Sequence, residues 1–428
     1  MIRIHYSNQV PKEEGTTVKL AGWVERIRVL GKIAFLVLRD RYGRVQVTTK
    51  DPEIIKKLKE VTLESFISVS GEVKLNKEAR NGFEIFPTDI EIISKADVPL
   101  PLDLSGKIES TLKKRLDWRF IDLRQERQFK IFLFQSEIVH ILEEFMWKNG
   151  FVRVFTSRLT NVPTEGGADY FLVKYFDKNA YLVQSPQLYK ESVLASGYDR
   201  IYDLGFVYRA EPHHTPRHLC EYASFDLEMV TDNMEGIISF EEEMIRHLFK
   251  ELKKRVPDIL SFFNAKIEVP KKIPRLTLEE INKILEKKGV ETGDDLSPQG
   301  EKIICEYAKE KWNSEFVFVT EFPFSAKPFY VLRKAEDPSK AWSFDLLYRG
   351  IEITTGGLRE HRYEERVKNI KEKGLDPKQF YHLNFFKYGM PPHGGLAIGI
   401  ERLTMKILGL ENVREAALLP RDPERLLP

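Results

Sequence analysis

Tyr208-Arg209-Ala210-Glu211, running on to Arg217-His218, and Gly394-Gly395, running on to Gly399-Ile400-Glu401-Arg402, carry charge and glycine in a combination that a packed core does not use. The first stretch, extended to Tyr222, gathers cations, one acceptor and one aromatic: Arg209, Glu211, Arg217, His218 and Tyr222. That set suits a triphosphate beside a purine, since guanidinium forks match phosphate oxygens and an aromatic face stacks a base. The second stretch sets Arg402 at the mouth of a glycine-rich turn. Arg and Glu are rarely buried without partners, so a gathering of this kind marks a ligand site rather than a core. The chain has neither a Walker-type phosphate loop nor a Gly-x-Gly-x-x-Gly after a strand, which excludes the commonest nucleotide folds.

Around these stretches the hydrophobic spacing changes period several times. Ile131, Phe134, Ile138, Ile141, Leu142 and Phe145 recur at helical spacing, and Asn149-Gly150 stops the helix because glycine accepts a left-handed cap. A strand is expected directly after it, over 151–156. Further helices are expected over 240–255, from Thr277 with Glu280 as its capping box to Gly289, and over 363–373. Strands over 316–320, 329–332 and 343–353 lie between them. The elements mix without the strict alternation of a doubly wound fold, so the expectation is an α+β domain, its mainly antiparallel sheet flanked by helices.

The first hundred residues differ. Alternating apolar and polar residues over 17–29, 32–40, 44–49, 65–74 and 83–94, with Tyr42-Gly43 and Asn81-Gly82 as turn signals, predict five strands. Asp51-Pro52 opens a helix over 53–61, and five strands with a helix after the third is the order of an OB-fold β-barrel. Phe35, Arg39 and Gln46 fall on the second and third strands, where an aromatic can stack a base and an amide can read its edge. Val98-Pro99-Leu100-Pro101-Leu102 breaks the strand rhythm. The expected organisation is a barrel over 1–102, a hinge over 103–130 carrying Lys113, Lys114, Arg115, Arg119 and Arg124, and a larger domain over 131–428.

Composition sets wide bounds. The 428 residues, 42% of them hydrophobic, are ample for two or three globular cores. Lys+Arg 67 against Asp+Glu 65 leaves +2, which neither requires nor excludes a nucleic-acid partner. Two cysteines, Cys220 and Cys305, argue against a disulfide framework or a cysteine zinc site. No run approaches the ~20 apolar residues of a membrane span, and the expected location is cytoplasmic.

The chain resembles the class II aminoacyl-tRNA synthetases, and within them the aspartyl-tRNA synthetases of archaeal/eukaryotic type. The likeness runs from the barrel to Leu419-Pro420-Arg421-Asp422. The segment 131–156 resembles motif 1, 208–229 motif 2 and 394–403 motif 3 of that class. Gln184-Ser185-Pro186-Gln187-Leu188-Tyr189-Lys190, Phe225-Asp226-Leu227-Glu228-Met229 and Gly356-Gly357-Leu358-Arg359-Glu360-His361-Arg362 resemble its aspartate signatures.

The resemblance implies activation of L-aspartate by ATP with Mg²⁺, followed by transfer to the 3′ end of tRNA(Asp), with tRNA(Asn) left open as a second acceptor. Arg209 and Arg402 are the implied catalytic residues. Arg209 holds the α-phosphate, Glu211 the adenine amino group, and Tyr222 with Arg402 the purine ring. Arg217, His218 and Arg402 draw in the outer phosphates, and Leu219, Glu352 and Gly399 complete the ATP site. Asp345, Glu352 and Thr355 are the implied metal residues. Asp345 and Glu352, seven apart on what reads as one strand, need a bulge or bend to reach one site.

Lys190 and Arg359 meet the aspartate side chain; Glu165, Gln187 and Asp226 meet its ammonium, with Thr355 nearby. Asparagine is expected to leave two buried cations unpaired, and Glu165-Gly166-Gly167 to close over the amino acid as a mobile loop. In the barrel Phe35 stacks an anticodon base, Gln46 and Glu84 read the central uridine and Arg39 adds charge. A homodimer without a membrane is implied. Ser157 stands where motif 1 usually has proline, Ala397 where motif 3 often has glycine, and Leu358 where glutamine is frequent. Glu25 and Arg80, at the positions that separate tRNA-discriminating from relaxed members, match neither set. The alternatives are an asparaginyl-tRNA synthetase and a non-catalytic RNA-binding paralogue.

Overall fold

The computed structural model describes residues 1–163, 165, 170–212 and 215–428. It forms two compact units, Met1–Glu109 and Ser110–Pro428.

In the first unit β1 (Thr17–Leu30), β2 (Ile33–Asp40), β3 (Gly43–Thr49), β4 (Phe66–Leu75) and β5 (Phe83–Ser94) close into a barrel of order β1-β2-β3-β5-β4. Alternation sends Leu20, Leu36, Leu38, Val45, Val47, Val69 and Ile85 inward. The helix Pro52–Leu58 adds Ile54, Ile55 and Leu58 to that core. Asp51 caps it, accepting from Glu53 N at 2.8 Å and Ile54 N at 3.3 Å, with Pro52 at the position where a missing N–H costs nothing.

The second unit is built on an eight-stranded sheet. Its strands are β6 (Val152–Arg153), β10 (Arg200–Tyr208), β11 (Glu221–Val230), β12 (Arg275–Thr277), β13 (Phe316–Thr320), β14 (Ser343–Tyr348), β15 (Ile351–Arg359) and β16 (His393–Gly399). The order is β12-β13-β14-β15-β16-β11-β10-β6, antiparallel except at the two edges. β7 (Leu159–Thr160), β8 (Leu172–Tyr175) and β9 (Lys178–Leu182) form a separate small sheet. Helices Glu126–Lys148 and Met234–Arg255 cover one face of the large sheet, packing Phe134, Ile138, Leu142, Ile245, Leu248 and Phe249 against Phe225, Leu227, Leu396 and Ile398. Among the described residues no helix is long and apolar enough to cross a membrane.

Several elements depart from expectation for identifiable reasons. The first long helix begins at Glu126 rather than 131, because its first turn buries only Gln128 and so carries no apolar repeat. The strand after it shortens to Val152–Arg153: Thr156 turns its hydroxyl to Asp203 at 2.5 Å, and Ser157 bonds Leu159, which takes the chain out of the ladder. No strand forms over 329–332, where Val331 makes only an isolated bridge to Arg359. The single strand expected over 343–353 is a hairpin of β14 and β15, turned at Arg349-Gly350. Arg119 of the connector is fully buried, bonded to Asp122 and to the carbonyls of Glu415, Ala417 and Leu418, so it ties the unit together. The capping box of Thr277 and Glu280 forms as expected.

Glu241, on Met234–Arg255, lies in the core with neither carboxyl oxygen hydrogen-bonded. Burial pushes its pKa up from 4.5 to about 8; the Thr354 hydroxyl nearby opposes the rise without closing to a hydrogen bond, and Asp345 adds to it. Between those values the folded chain holds a proton that the unfolded chain has lost, so stability falls as pH rises through that window. Glu241→Gln is therefore expected to raise the melting temperature near pH 8 by several degrees and to match the parent near pH 5. Parallel melting curves across that range would disprove the assignment.

Candidate functional site

The open face of the large sheet carries a cavity of about 320 Å³. Alternation along β11 sends Phe225, Leu227 and Met229 to the core and leaves Tyr222, Ser224 and Asp226 lining the cavity, with Glu228 next in the row. Along β16, Leu396 and Ile398 enter the core, so Ala397 and Gly399 line the cavity and Gly395 continues that row. The glycine-rich segment is thus a strand, not a turn. A Cβ on Gly395 would lie 2.1 Å from the carbonyl oxygen of Leu227 and 2.6 Å from the Glu228 carboxylate, so only glycine lets β11 approach there. Ala397 pairs with Asp226 on one side and Thr355 on the other, and a strand accepts its methyl without strain.

Every site residue proposed from the sequence in this unit lines the one cavity. The nucleotide set is there: Arg209, Glu211, Arg217, His218, Leu219, Tyr222, Glu352, Gly399 and Arg402. So are Glu165, Gln187, Lys190, Asp226, Thr355 and Arg359, and the metal candidate Asp345. Gly166 and Gly167 lie outside the described residues.

At the nucleotide end, the Arg209 guanidinium carbon is 5.8 Å from the centre of the Tyr222 ring, and Arg209 Nε is buried without a hydrogen-bond partner. Arg402 donates to the backbone oxygens of Glu352 at 3.2 Å and Arg217 at 3.3 Å, which links motif 3 to motif 2. Burial, then Arg402, lowers the His218 pKa, which favours the neutral ring. Arg217 pairs with Glu301 of helix Pro298–Trp312, whose pKa burial raises to about 7.

The metal candidates meet through a bulge. Asp345 pairs with Thr355 and Leu347 with Glu352, with the register slipping between Leu346 and Leu347. The slip puts Glu352 and Thr355, of unlike parity, on the same face. Asp345 accepts from the Thr355 hydroxyl at 2.6 Å and from Lys327 Nζ at 2.9 and 3.1 Å. Burial raises its pKa to about 6, with Lys327 opposing and Glu352 adding to the rise. Among the described residues no group of three or more His, Cys, Asp or Glu gathers as a metal site; what this face offers is two carboxylates and a hydroxyl, hard oxygens of the kind a divalent cation takes alongside water and phosphate.

The amino-acid end corrects one expectation. Lys190 and Arg359 are buried cations, but neither is unpaired. Lys190 lies 3.2 Å from Asp226 and 3.0 Å from Glu228, and Arg359 Nε donates to Glu228 at 2.9 Å. Burial alone would raise the Glu228 carboxyl, yet Arg359 and Lys190 hold it at about 2. A neutral ligand would therefore not strand two cations, since both already have partners; Arg359 bonds Glu228 through Nε and the Gly395 carbonyl through one terminal nitrogen. Gln187 donates to Glu191 at 3.2 Å, and the Tyr330 hydroxyl donates to both Glu165 oxygens at 2.8 Å. Tyr330, Lys327 and Glu301 were not anticipated. Glu228 stood in the signature segment 225–229 without a role of its own, and its two-residue spacing from Asp226 was the signal for one.

On the barrel, Phe35 and Arg39 face outward on β2, with core residues Ala34, Leu36 and Leu38 between and beside them. Gln46 of β3 donates to Glu84 of β5 at 2.9 Å, and Thr48 also donates to Glu84. Arg39 is engaged by Glu64 at 2.8 Å. Glu25 pairs with Arg44 at 2.7 Å, and Arg80 is exposed in the β4–β5 loop.

Residues 111–423 match the family model of tRNA synthetases class II (D, K and N), and 18–93 that of an OB-fold nucleic acid binding domain. The aspartate–tRNA(Asp) ligase of Pyrococcus abyssi is 42% identical over 100% of both chains. The aspartate–tRNA(Asp/Asn) ligase of Aeropyrum pernix is 41% identical over 97% of this chain and 96% of its own. The asparaginyl-tRNA synthetase of Pyrococcus horikoshii, solved with asparaginyl-adenylate, superposes with a TM-score of 0.93 at 32% identity, covering 100% of each chain. The chain belongs to the class II tRNA synthetase family, in its aspartyl/asparaginyl branch of archaeal/eukaryotic type, and is an ATP-dependent aminoacyl-tRNA ligase.

Proposed function

We propose that the amino acid activated is L-aspartate. The observation that carries this is the buried pair Lys190 and Arg359, in the same cavity as the acceptors Glu165 and Asp226. Aspartate needs both kinds of group: cations for its side-chain carboxylate and acceptors for its ammonium. Its α-carboxylate attacks the α-phosphorus of ATP, forming aspartyl-adenylate and releasing pyrophosphate. The nucleophile is already ionised, so the protein's task is positioning and charge neutralisation. Arg209 forks onto the α-phosphate oxygens. Glu211 accepts from the adenine amino group, Tyr222 and Arg402 enclose the purine, and Leu219 and Gly399 shape its slot. Arg217 and Arg402 neutralise the outer phosphates and His218 adds a hydrogen bond. Asp345, Glu352 and Thr355 would hold Mg²⁺, which supplies charge neutralisation on the phosphates.

In the second step the 3′ hydroxyl of the terminal adenosine attacks the adenylate carbonyl and AMP leaves. Phe35 presents a face for an anticodon base; Glu84 holds the Gln46 amide nitrogen, leaving the Gln46 carbonyl for a base edge. The acceptor is tRNA(Asp), with tRNA(Asn) to be tested beside it. The exposed Trp147 and Phe155, flanking β6, suit a homodimer contact, and a cytoplasmic location is part of the same proposal.

The test is ATP–pyrophosphate exchange driven by each amino acid. Aspartate is expected to support it and asparagine to do so more weakly by about 10²-fold or more. No exchange with aspartate, or equal rates with both, would refute the reading.

A further inference from the structure

The carboxylate assigned to the metal already holds a cation of the protein's own. Lys327 Nζ reaches both oxygens of Asp345, at 2.9 and 3.1 Å, and both side chains are nearly buried. The ammonium is placed there by a second contact: it stands 3.6 Å from the centre of the buried Phe322 ring, a cation–π arrangement that fixes the side chain over Asp345. Glu352 is held less firmly: among the described residues its ion pair is the long one to Arg402, at 3.9 Å, and it is about one-third exposed. The two carboxylates therefore face the cavity neutralised unequally. Asp345 is closed by a short, desolvated ion pair, whereas Glu352 keeps a long one.

We propose that Lys327 competes with the divalent cation for Asp345, so that a metal ion enters this site only as Lys327 is drawn away. This rests on Asp345 and Glu352 being the metal carboxylates of the proposed reaction. A divalent ion binding Asp345 must break the pair with Lys327, and a buried ammonium cannot be left without a counter-charge. Lys327 lines the cavity, so an anionic phosphate chain brought in with the metal supplies that counter-charge. Metal alone brings none. Lys327 thereby makes metal loading depend on the nucleotide, and spares the nucleotide-free enzyme from holding a divalent ion in the wrong coordination.

The test measures Mn²⁺ binding to the full chain by electron paramagnetic resonance near pH 8, without nucleotide or amino acid. Lys327→Met and Lys327→Gln are expected to bind Mn²⁺ about tenfold or more tightly than the parent, and Lys327→Arg, which keeps the charge, to stay weak. Adding Asp345→Asn to Lys327→Met should erase the gain. Parent-like affinity in folded Met and Gln variants, or tight binding in the Arg variant, would overturn the competition. The metal assignment is read separately: with a non-hydrolysable ATP analogue present, Asp345→Asn alone should weaken Mn²⁺ binding. If it does not, Asp345 is no metal residue, whatever the Lys327 variants do.

Discussion

Arg359→Leu is expected to lower aspartate-dependent pyrophosphate exchange by about 10³-fold or more while leaving ATP binding within a few-fold. Arg359 sits at the amino-acid end of the cavity, bonded to Glu228 and to the carbonyl of Gly395, and stacks 5.4 Å from the centre of Tyr330. Leucine removes the donors that remain for a substrate carboxylate, and it leaves Glu228 to Lys190 alone. Breaking a buried pair typically costs about 3–5 kcal/mol of stability. The double variant Arg359→Leu with Glu228→Gln removes both charges and separates lost folding from lost recognition. If the folded double variant still exchanges with aspartate at near-parental rate, Arg359 does not bind the side chain. If ATP binding disappears along with aspartate activation, the residue has been placed at the wrong end of the site.

The second large effect is expected at Arg209. Its buried guanidinium lies beside Tyr222, with Nε unpartnered, so replacement disturbs few protein bonds. Arg209→Gln should reduce kcat for exchange by about 10²–10³-fold, the cost of removing a donor that acts on developing charge. KM for aspartate should change little. Arg209→Lys should recover only part of the loss, because a point charge does not replace a planar fork. A kcat near the parental value in Arg209→Gln would show that the α-phosphate is held elsewhere.

The barrel was legible because each of its strands has one buried face, and alternation then reports the pairing: β1 to β5 lie within a residue or so of their expected bounds. The larger domain was less so. β14 and β15 are buried on both faces for most of their length, so their residues read as one continuous strand. The segment 329–332 has strand-like residues, yet spends its backbone on isolated contacts.

The site shows the same division. Arg209 could be named from a local gathering of charge that a core does not use, whereas Asp226, Lys190 and Arg359 could be named only through segments that resemble the aspartate signatures. That all of them would line one cavity could not be read locally; it follows from β11, β16 and β15 lying side by side over a floor of small residues.

Local patterns, with the family resemblance they carry, thus determined the fold class, the two kinds of domain and the identities of the charged residues that line the cavity. The tertiary structure alone decided how those charges are balanced. Glu301 reaches Arg217 from a helix some eighty residues away in the chain, and Lys327 reaches Asp345 from a loop between strands. Glu228 stands between Lys190 and Arg359 only because Gly395 lets its strand approach. The physical reason is that ion pairing in a low-dielectric site depends on distances of a few ångströms between segments far apart in sequence, and no local pattern encodes them.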